Sequence, residues 1–331
     1  MTELDPVTLA VDGLHVSFGT PDGTVHAVRG ASFCVEAGAT LGVVGESGSG
    51  KSVSMLTLLG LTSAAQVAGT ALFRGRDLLT MSEDDLRRVR GAQISMIFQD
   101  PLTSLHPHYR IGWQIAEAVH AHEKVSRAAA RSRAVELLAT VGIPRASQRA
   151  NDFPHQFSGG MRQRAMIAMA LALRPALIIA DEPTTALDAT VEVQILQLLR
   201  RVQREFRTSL IMITHDLGVI AGMADVVMVM YAGRPVEIAG RRAIYRSPRH
   251  PYTRGLLNSV PGARGSIKQR LTPIPGQPPS MIRLPGGCPF HPRCAVAIER
   301  CREEEPPLIE VGEPGQSSAC WRAAELDGLE S

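Results

Sequence analysis

Gly45-Glu46-Ser47-Gly48-Ser49-Gly50-Lys51-Ser52 fits the pattern G-x-x-x-x-G-K-[ST] and lies between two apolar stretches. Thr40 to Val44 precedes it and reads as a buried strand, while Lys51 to Leu61 follows it and reads as an apolar helix. A glycine-rich turn at such a junction lets backbone N–H groups converge on phosphate oxygens at the positive end of a helix. Lys51 is expected to reach the β and γ oxygens of a nucleoside triphosphate, and Ser52 to offer its hydroxyl to Mg²⁺. Gly45, Glu46, Ser47, Gly48, Ser49 and Gly50 form the cradle.

Working outward, the chain alternates strands and helices. Met161 to Leu173 is helical until Arg174-Pro175 stops it, and Ala176 to Ala180 follows as a buried strand. Val191, Ile195, Leu198, Leu199, Val202 and Phe206 fall at helical spacing on one stripe. Leu210 to Ile213 and Val226 to Met230 read as two further buried strands. Apolar strands separated by helices predict an α/β fold with a parallel sheet covered on both faces. Asp181 and Glu182 stand at the end of the strand that closes at Ala180. A phosphate loop needs a metal-orienting acid and a group to activate water, and these two carboxylates are the candidates, Asp181 for Mg²⁺ and Glu182 as general base. Between Gln99 and His155 the strand signal fades; Ile111 to His120 and Ala128 to Ala139 read as helices of an inserted subdomain.

Four further segments carry a resemblance. Phe157-Ser158-Gly159-Gly160-Met161-Arg162-Gln163-Arg164 resembles the signature motif of ATP-binding cassette ATPases, and Ile97-Phe98-Gln99-Asp100 resembles their Q-loop. Ala186-Leu187-Asp188 resembles their D-loop and Ile213-Thr214-His215-Asp216 their switch histidine, all in the family's order. Within the family the chain is most similar to ATPase subunits of oligopeptide, dipeptide and nickel importers. The stretches HPYTRGLLNSVP (250–261) and GCPFHPRCAVAIERC (287–301) carry that narrower likeness. His106 stands where the group usually has Asn, and Val226 where Arg is common, both outside the phosphate chemistry.

The resemblance implies a P-loop, RecA-like core with a mixed sheet over residues 1–98 and 160–240. It adds a helical signature subdomain over 99–159 and a small Pro/Cys-rich, metal-binding extension over 241–331. ATP and Mg²⁺ are the implied ligands, with Ser52, Gln99 and Asp181 on the metal and Glu182, Gln99 and His215 in catalysis. Phe18, after a strand pattern at Leu14 to Phe18, occupies the place of an adenine-stacking aromatic, with a core role as the alternative. Ser158, Gly159, Gly160 and Asp188 would serve the nucleotide of a second cassette, so the implied partners are another, homologous ATPase subunit, two transmembrane permease subunits and an external solute-binding protein. The implied work is peptide uptake at the cytoplasmic face of the membrane, with nickel or glutathione as alternative solutes.

Five cysteines divide unevenly. Cys34 lies in an apolar stretch, Ala31 to Val35, and reads as a small core residue. Cys288, Cys294, Cys301 and Cys320 follow C-x₅-C-x₆-C-x₁₈-C in a proline-rich tail. Structural zinc usually uses shorter knuckles. A cubane spreads its thiolates further apart, and some members of the similar importer group carry one here. The expectation is therefore a [4Fe-4S] cluster, with zinc as the alternative and no metal as a third reading.

Composition narrows the remaining classes. Lys+Arg 35 against Asp+Glu 32 leaves +3, without the basic excess of a nucleic-acid binder, and aromatics at 4% are too few for a base-stacking platform. A soluble cassette ATPase acting on nucleic acid or ribosomes, and a redox- or metal-sensing ATPase, stand as alternatives; no nucleic-acid partner is expected. No apolar run reaches the length of a membrane span, and the N-terminal residues lack a signal pattern, so neither spanning nor secretion is expected.

Overall fold

The computed structural model describes residues 7–185, 187–259 and 273–326. Ala186 of the D-loop-like segment and Val260-Pro261 of the HPYTRGLLNSVP stretch lie outside the described residues. Among the described residues no helix is long and apolar enough to cross a membrane. Two compact units divide the chain. The loop unit takes Leu9–Val35, Thr40–Thr80 and the chain from Met212 onward; the helical unit takes Glu36–Ala39, Met81–Ile211 and the first residues of the chain.

The loop unit opens with two long strands, β1 (Val7–Thr20) and β2 (Gly23–Glu36), joined by a two-residue turn at Pro21-Asp22. Next come β3 (Thr40–Val44), α1 (Lys51–Leu58), β4 (Ala65–Phe73) and β5 (Arg76–Asp77). Strands β2-β1-β4-β5 form a four-stranded sheet, with β1 antiparallel to β4 from Leu9↔Phe73 to Phe18↔Ala65 and a register break between Asp12 and His15. This second sheet is absent from the sequence expectation. Alternation sends Leu9, Val11, Leu14 and Val16 of β1, with Phe33 and Val35 of β2, into the core. The same period turns Cys34 outward: it is exposed, which corrects its reading as a core residue. Helix α1 ends at Leu58 rather than Leu61, because the N–H groups of Leu61 and Gly60 turn back to the carbonyls of Leu56 and Thr57 and close the last turn.

The helical unit runs through α2 (Glu83–Val89), β6 (Ile94–Ile97), α3 (Pro101–Ser104), α4 (Ile111–His120), α5 (Arg127–Thr140) and α6 (Ala146–Arg149). It continues with α7 (Gly159–Ala170), β7 (Leu177–Asp181) and α8 (Ala189–Phe206). Strands β6 and β7 pair in parallel, from Ile94↔Leu177 to Ile97↔Ala180. Helices α4, α5 and α7 pack on one another through residues at helical spacing, including Ile111, Ile115 and Val119, Ala130, Ala134 and Leu138, and Ile167. The chain leaves this unit inside β8 (Ser209–Thr214).

Back in the loop unit follow α9 (Leu217–Ala221), β9 (Val226–Tyr231), β10 (Arg234–Gly240), α10 (Arg241–Arg246) and α11 (Pro251–Asn258). Among the described residues the tail adds a 3-10 turn (His291–Arg293), α12 (Arg300–Glu303), β11 (Ile309–Glu310) and β12 (Ser317–Ser318). Strand β9 is parallel to β3 (Leu41↔Val226) and antiparallel to β10, so this sheet is mixed. The β9–β10 turn is Ala232-Gly233 with φ of 47° and 82°, the doubly left-handed geometry that a two-residue hairpin requires. Strands β12 and β11 extend the antiparallel edge beyond β10.

Candidate active site

The phosphate-type loop joins β3 to α1 and is held by hydrogen bonds from all sides. Lys51, 6% exposed, donates through Nζ to the carbonyls of Gly45 (2.7 Å) and Glu46 (2.9 Å). The Ser49 N–H turns back to Glu46 O (3.2 Å), and the Gly233 N–H of the β9–β10 turn donates to Ser49 O (3.1 Å). Gly45 has φ 156°, and a Cβ there would run into the Met230 carbonyl oxygen, so the loop and β9 are in backbone contact. Ser49 Oγ is buried and has no hydrogen-bond partner among the described residues. A buried hydroxyl in that state is costly unless a ligand completes it.

Glu46 is held through both its backbone and its side chain. Its N–H donates to Tyr252 Oη (2.9 Å), and its carboxylate receives Arg293 through Nη1 (2.7 Å) and Nη2 (3.0 Å). Sequence reasoning missed Tyr252 and Arg293. Both lie inside stretches singled out for their likeness to peptide importers, HPYTRGLLNSVP and GCPFHPRCAVAIERC, and that was the available signal. Burial holds the Tyr252 hydroxyl above the usual phenol range, so it stays protonated. Elsewhere in the loop unit Phe18 is half-buried near the end of β1, opposite Ala65. His215 is exposed directly after β8, and the next residue, Asp216, caps α9 by accepting from the Gly218 N–H (2.6 Å).

In the helical unit the structure brings Gln99, Glu182 and Thr185 together. Glu182 Oε2 accepts from Gln99 Nε2 (2.9 Å) and from Thr185 Oγ1 (2.8 Å). Asp181, the last residue of β7, is 6% exposed, whereas Glu182 is half-buried. The Glu182 backbone has φ 46°, left-handed for a residue that has a Cβ. Thr185 was not read from the sequence; a hydroxyl three residues after the acid, in a turn, was the signal.

The signature-like segment opens α7. Ser158 is its N-cap and accepts from the Met161 N–H (3.3 Å), which leaves Gly159 and Gly160 in the first helical turn. A Cβ on Gly160 would lie 2.7 Å from Val191 Cγ1, and one on Gly159 3.7 Å from Leu187 Cδ2. Asp188 caps α8, accepting from the N–H groups of Thr190 (3.1 Å) and Val191 (3.0 Å). The two motifs therefore meet in one packed corner of the helical unit.

Cys288, Cys294, Cys301 and Cys320 are all free thiols in the loop unit. The Cys288 N–H donates to Cys301 O (2.8 Å), so the two backbones run side by side. Burial, with a smaller contribution from neighbouring thiols of the set, pushes Cys288 up to about 11 and Cys320 to about 12. The four thus lie within electrostatic reach of one another. Among the described residues, however, no three His, Cys, Asp or Glu side chains gather closely enough to ligate one metal ion.

Comparison with known proteins agrees with this geometry. Residues 28–185 match the family described as ABC transporter, and residues 236–301 match the oligopeptide/dipeptide transporter C-terminal region. The chain is 51% identical over 320 residues to the oligopeptide transport ATP-binding protein OppD of Salmonella typhimurium, covering 96% of this chain and 95% of that protein. It is 50% identical over 316 residues to the dipeptide transport ATP-binding protein DppD of Bacillus subtilis, covering 95% and 94%. Among solved structures it resembles the ATP-binding cassette MJ0796, a dimer in a post-hydrolysis state with ADP and phosphate, at 25% identity and a TM-score of 0.64 over 71% of this chain and 99% of that one. Near-complete coverage at half identity, on a P-loop fold with these motifs in order, means that the chain belongs to the ABC transporter ATPases, in the group of oligopeptide and dipeptide transport ATP-binding proteins.

Proposed function

We propose that this chain is the ATP-hydrolysing subunit of an importer for oligopeptides or dipeptides, bound peripherally at the cytoplasmic face of the cell membrane. The observation that carries the reading is the likeness to peptide transport ATP-binding proteins over nearly the whole length, C-terminal segment included. In this reading two permease subunits form the path and an external solute-binding protein delivers the peptide. A second, homologous ATPase subunit completes the paired cassettes. We assign residues 1–98 and 160–240 to the nucleotide-binding core, 99–159 to the signature subdomain and 241–331 to the extension.

Phosphoryl transfer to water is catalysed by positioning and charge. The residues present fit a nucleotide: a buried Ser49 hydroxyl without a partner among the described residues, a lysine held over the loop, and the N-terminus of α1. Gly45 to Ser52 hold the phosphates, and Phe18 stacks on the base. Ser52, Gln99 and Asp181 hold Mg²⁺, which when bound stabilises charge on the phosphate oxygens. Glu182 takes the proton of the attacking water; Gln99 and Thr185 aim its Oε2. His215 contacts the γ-phosphate, and Ser158, Gly159, Gly160 and Asp188 serve the nucleotide held by the partner subunit.

The four tail cysteines hold a [4Fe-4S] cluster in this reading. What supports this reading is the C-x₅-C-x₆-C-x₁₈-C spacing in a proline-rich tail, wider than the knuckles zinc usually takes.

The test uses the transporter purified from membranes with its permease. Lys51→Ala abolishes ATP binding. Glu182→Gln keeps ATP binding but slows hydrolysis about 10²–10⁴-fold and stops peptide uptake. Wild-type turnover in Glu182→Gln, or recovery of the chain with nucleic acid instead of permease subunits, overturns the reading.

A further inference from the structure

We propose that Arg293 and Tyr252, both contributed by the segment after β10, are positioning residues for the phosphate-binding loop, and that they act through Glu46. The inference rests on the reading of Gly45 to Ser52 as that loop and gives the C-terminal extension a task in nucleotide binding.

Glu46 is fixed at three points. Its N–H is taken by Tyr252 Oη and its carboxylate by both arms of Arg293, while its carbonyl accepts from Lys51 Nζ (2.9 Å) and the Ser49 N–H (3.2 Å). The peptide plane before Glu46 is therefore held by the extension through Tyr252, and the Gly45 carbonyl at its other end accepts from Lys51 Nζ (2.7 Å). Arg293 is itself enclosed and hydrogen-bonded. Its side chain is 5% exposed, its Nε donates to Pro275 O (2.8 Å), and it lies 5.8 Å and 5.9 Å from the ring centroids of Tyr231 and Phe290. Tyr252 packs against the same two rings at 4.7 Å and 5.4 Å. A planar guanidinium gripping a carboxylate with both arms transmits orientation in a way that a lysine cannot. Two effects follow. The loop is ordered before a ligand arrives, so binding does not carry that entropic cost. And a carboxylate inside an anion-binding loop, which would repel phosphates, is neutralised by Arg293.

The electrostatic part gives a signature that a purely structural role lacks. ATP affinity is measured with MgATP on the full chain, and KM and kcat on the assembled transporter. Arg293→Gln leaves the Glu46 charge unpaired and weakens ATP binding about 10- to 100-fold, raising KM more than it lowers kcat. Glu46→Gln weakens it about 3- to 10-fold, and so does Tyr252→Phe, which removes one acceptor. The double variant Glu46→Gln/Arg293→Gln binds better than Arg293→Gln alone, because the repelling charge is gone. Arg293→Lys recovers the charge but not the fork and falls between wild type and Arg293→Gln. If Arg293→Gln does not fold, as judged by its melting curve, Glu46→Gln and Tyr252→Phe carry the test, since neither lies in the cysteine-bearing stretch 287–301. Wild-type affinity in both single variants overturns the proposal, as does a double variant whose loss is the product of the two single losses. Lys51→Ala separates the two levels. If it binds ATP normally the reading of the loop itself fails; if it does not, while the Glu46 and Tyr252 variants do, only the clamp fails.

Discussion

Gly160→Ala tests whether the signature-like corner is built by packing alone. The new Cβ would stand 2.7 Å from Val191 Cγ1 and 3.7 Å from Cγ2, against an ordinary carbon contact of about 3.5–4.0 Å. Val191 cannot swing aside easily. It is β-branched in a helix, and its own N–H is held by Asp188 at the start of α8. Overpacking of this kind costs about 1–3 kcal/mol, offset by the helix-propensity gain of roughly 1 kcal/mol for alanine over glycine. The net expectation is a loss of about 1 kcal/mol. In a Val191→Ala background both γ-methyls are absent, the methyl fits, and the same substitution becomes neutral or stabilising by up to about 1 kcal/mol. The coupling energy between the two positions is then about 1–3 kcal/mol. Denaturant unfolding of the four chains measures it, and hydrolysis by the assembled transporter reads function in parallel. Equal costs of Gly160→Ala in the two backgrounds, within about 0.5 kcal/mol, refute the packing account. Hydrolysis is expected to stay impaired in the double variant despite its recovered stability, because the proposed phosphate approach needs the bare glycine as well.

Three further outcomes follow from other parts of the molecule. Burial, with Arg234 nearby, pushes His250 down to about 3 from 6.5, so it folds neutral; its contribution is full above pH 6.5 and about 2 kcal/mol is lost by pH 5 as the unfolded chain takes up a proton. His250→Asn keeps a capping acceptor, and the wild-type minus variant difference in unfolding free energy should shrink from pH 7 to 5; a constant difference contradicts this, since the opposing linkage of buried Glu237, raised by desolvation, is common to both chains. Gln99→Ala removes a donor to Glu182 Oε2 and should slow hydrolysis at least about tenfold while ATP binding by the isolated chain stays within a factor of about three; unchanged turnover would show that the contact does not aim the carboxylate. Anaerobically purified protein should carry about four irons per chain and lose them in Cys320→Ser, whereas one zinc per chain, or neither metal beside an ordered tail, removes the cluster assignment.

What the sequence revealed follows the strength of its apolar signals. Strands β3, β7, β8 and β9 are built on continuous apolar runs of four to six residues, and α8 carries one clean stripe, so all were legible to within a residue or two. Strands β1 and β2 alternate with polar residues, and β1 is interrupted between Asp12 and His15, so only Leu14 to Phe18 was visible and the second sheet was not. Cys34 was misread for the same reason, since a run of small apolar residues hides which face each one takes. The phosphate loop was legible because its spacing is local. Its attachment to Arg293 was not: the partners lie 247 positions apart, and neither residue type announces the other. Thr185 on Glu182 is local, but a hydroxyl in a turn is too common to stand out.

The left-handed backbone at Glu182 sets folding against chemistry at that one position. A residue with a Cβ held there costs about 1–2 kcal/mol relative to glycine, and Asn tolerates the conformation better than Glu does. Replacing Glu182 by Gly or Asn should therefore yield a chain that is more resistant to unfolding and unable to hydrolyse ATP. In a population of sequences screened only for folding or expression, position 182 would drift toward those residues. Under selection for uptake the strained carboxylate would persist, so the residue found at this position reports whether a lineage is still living off its transporter.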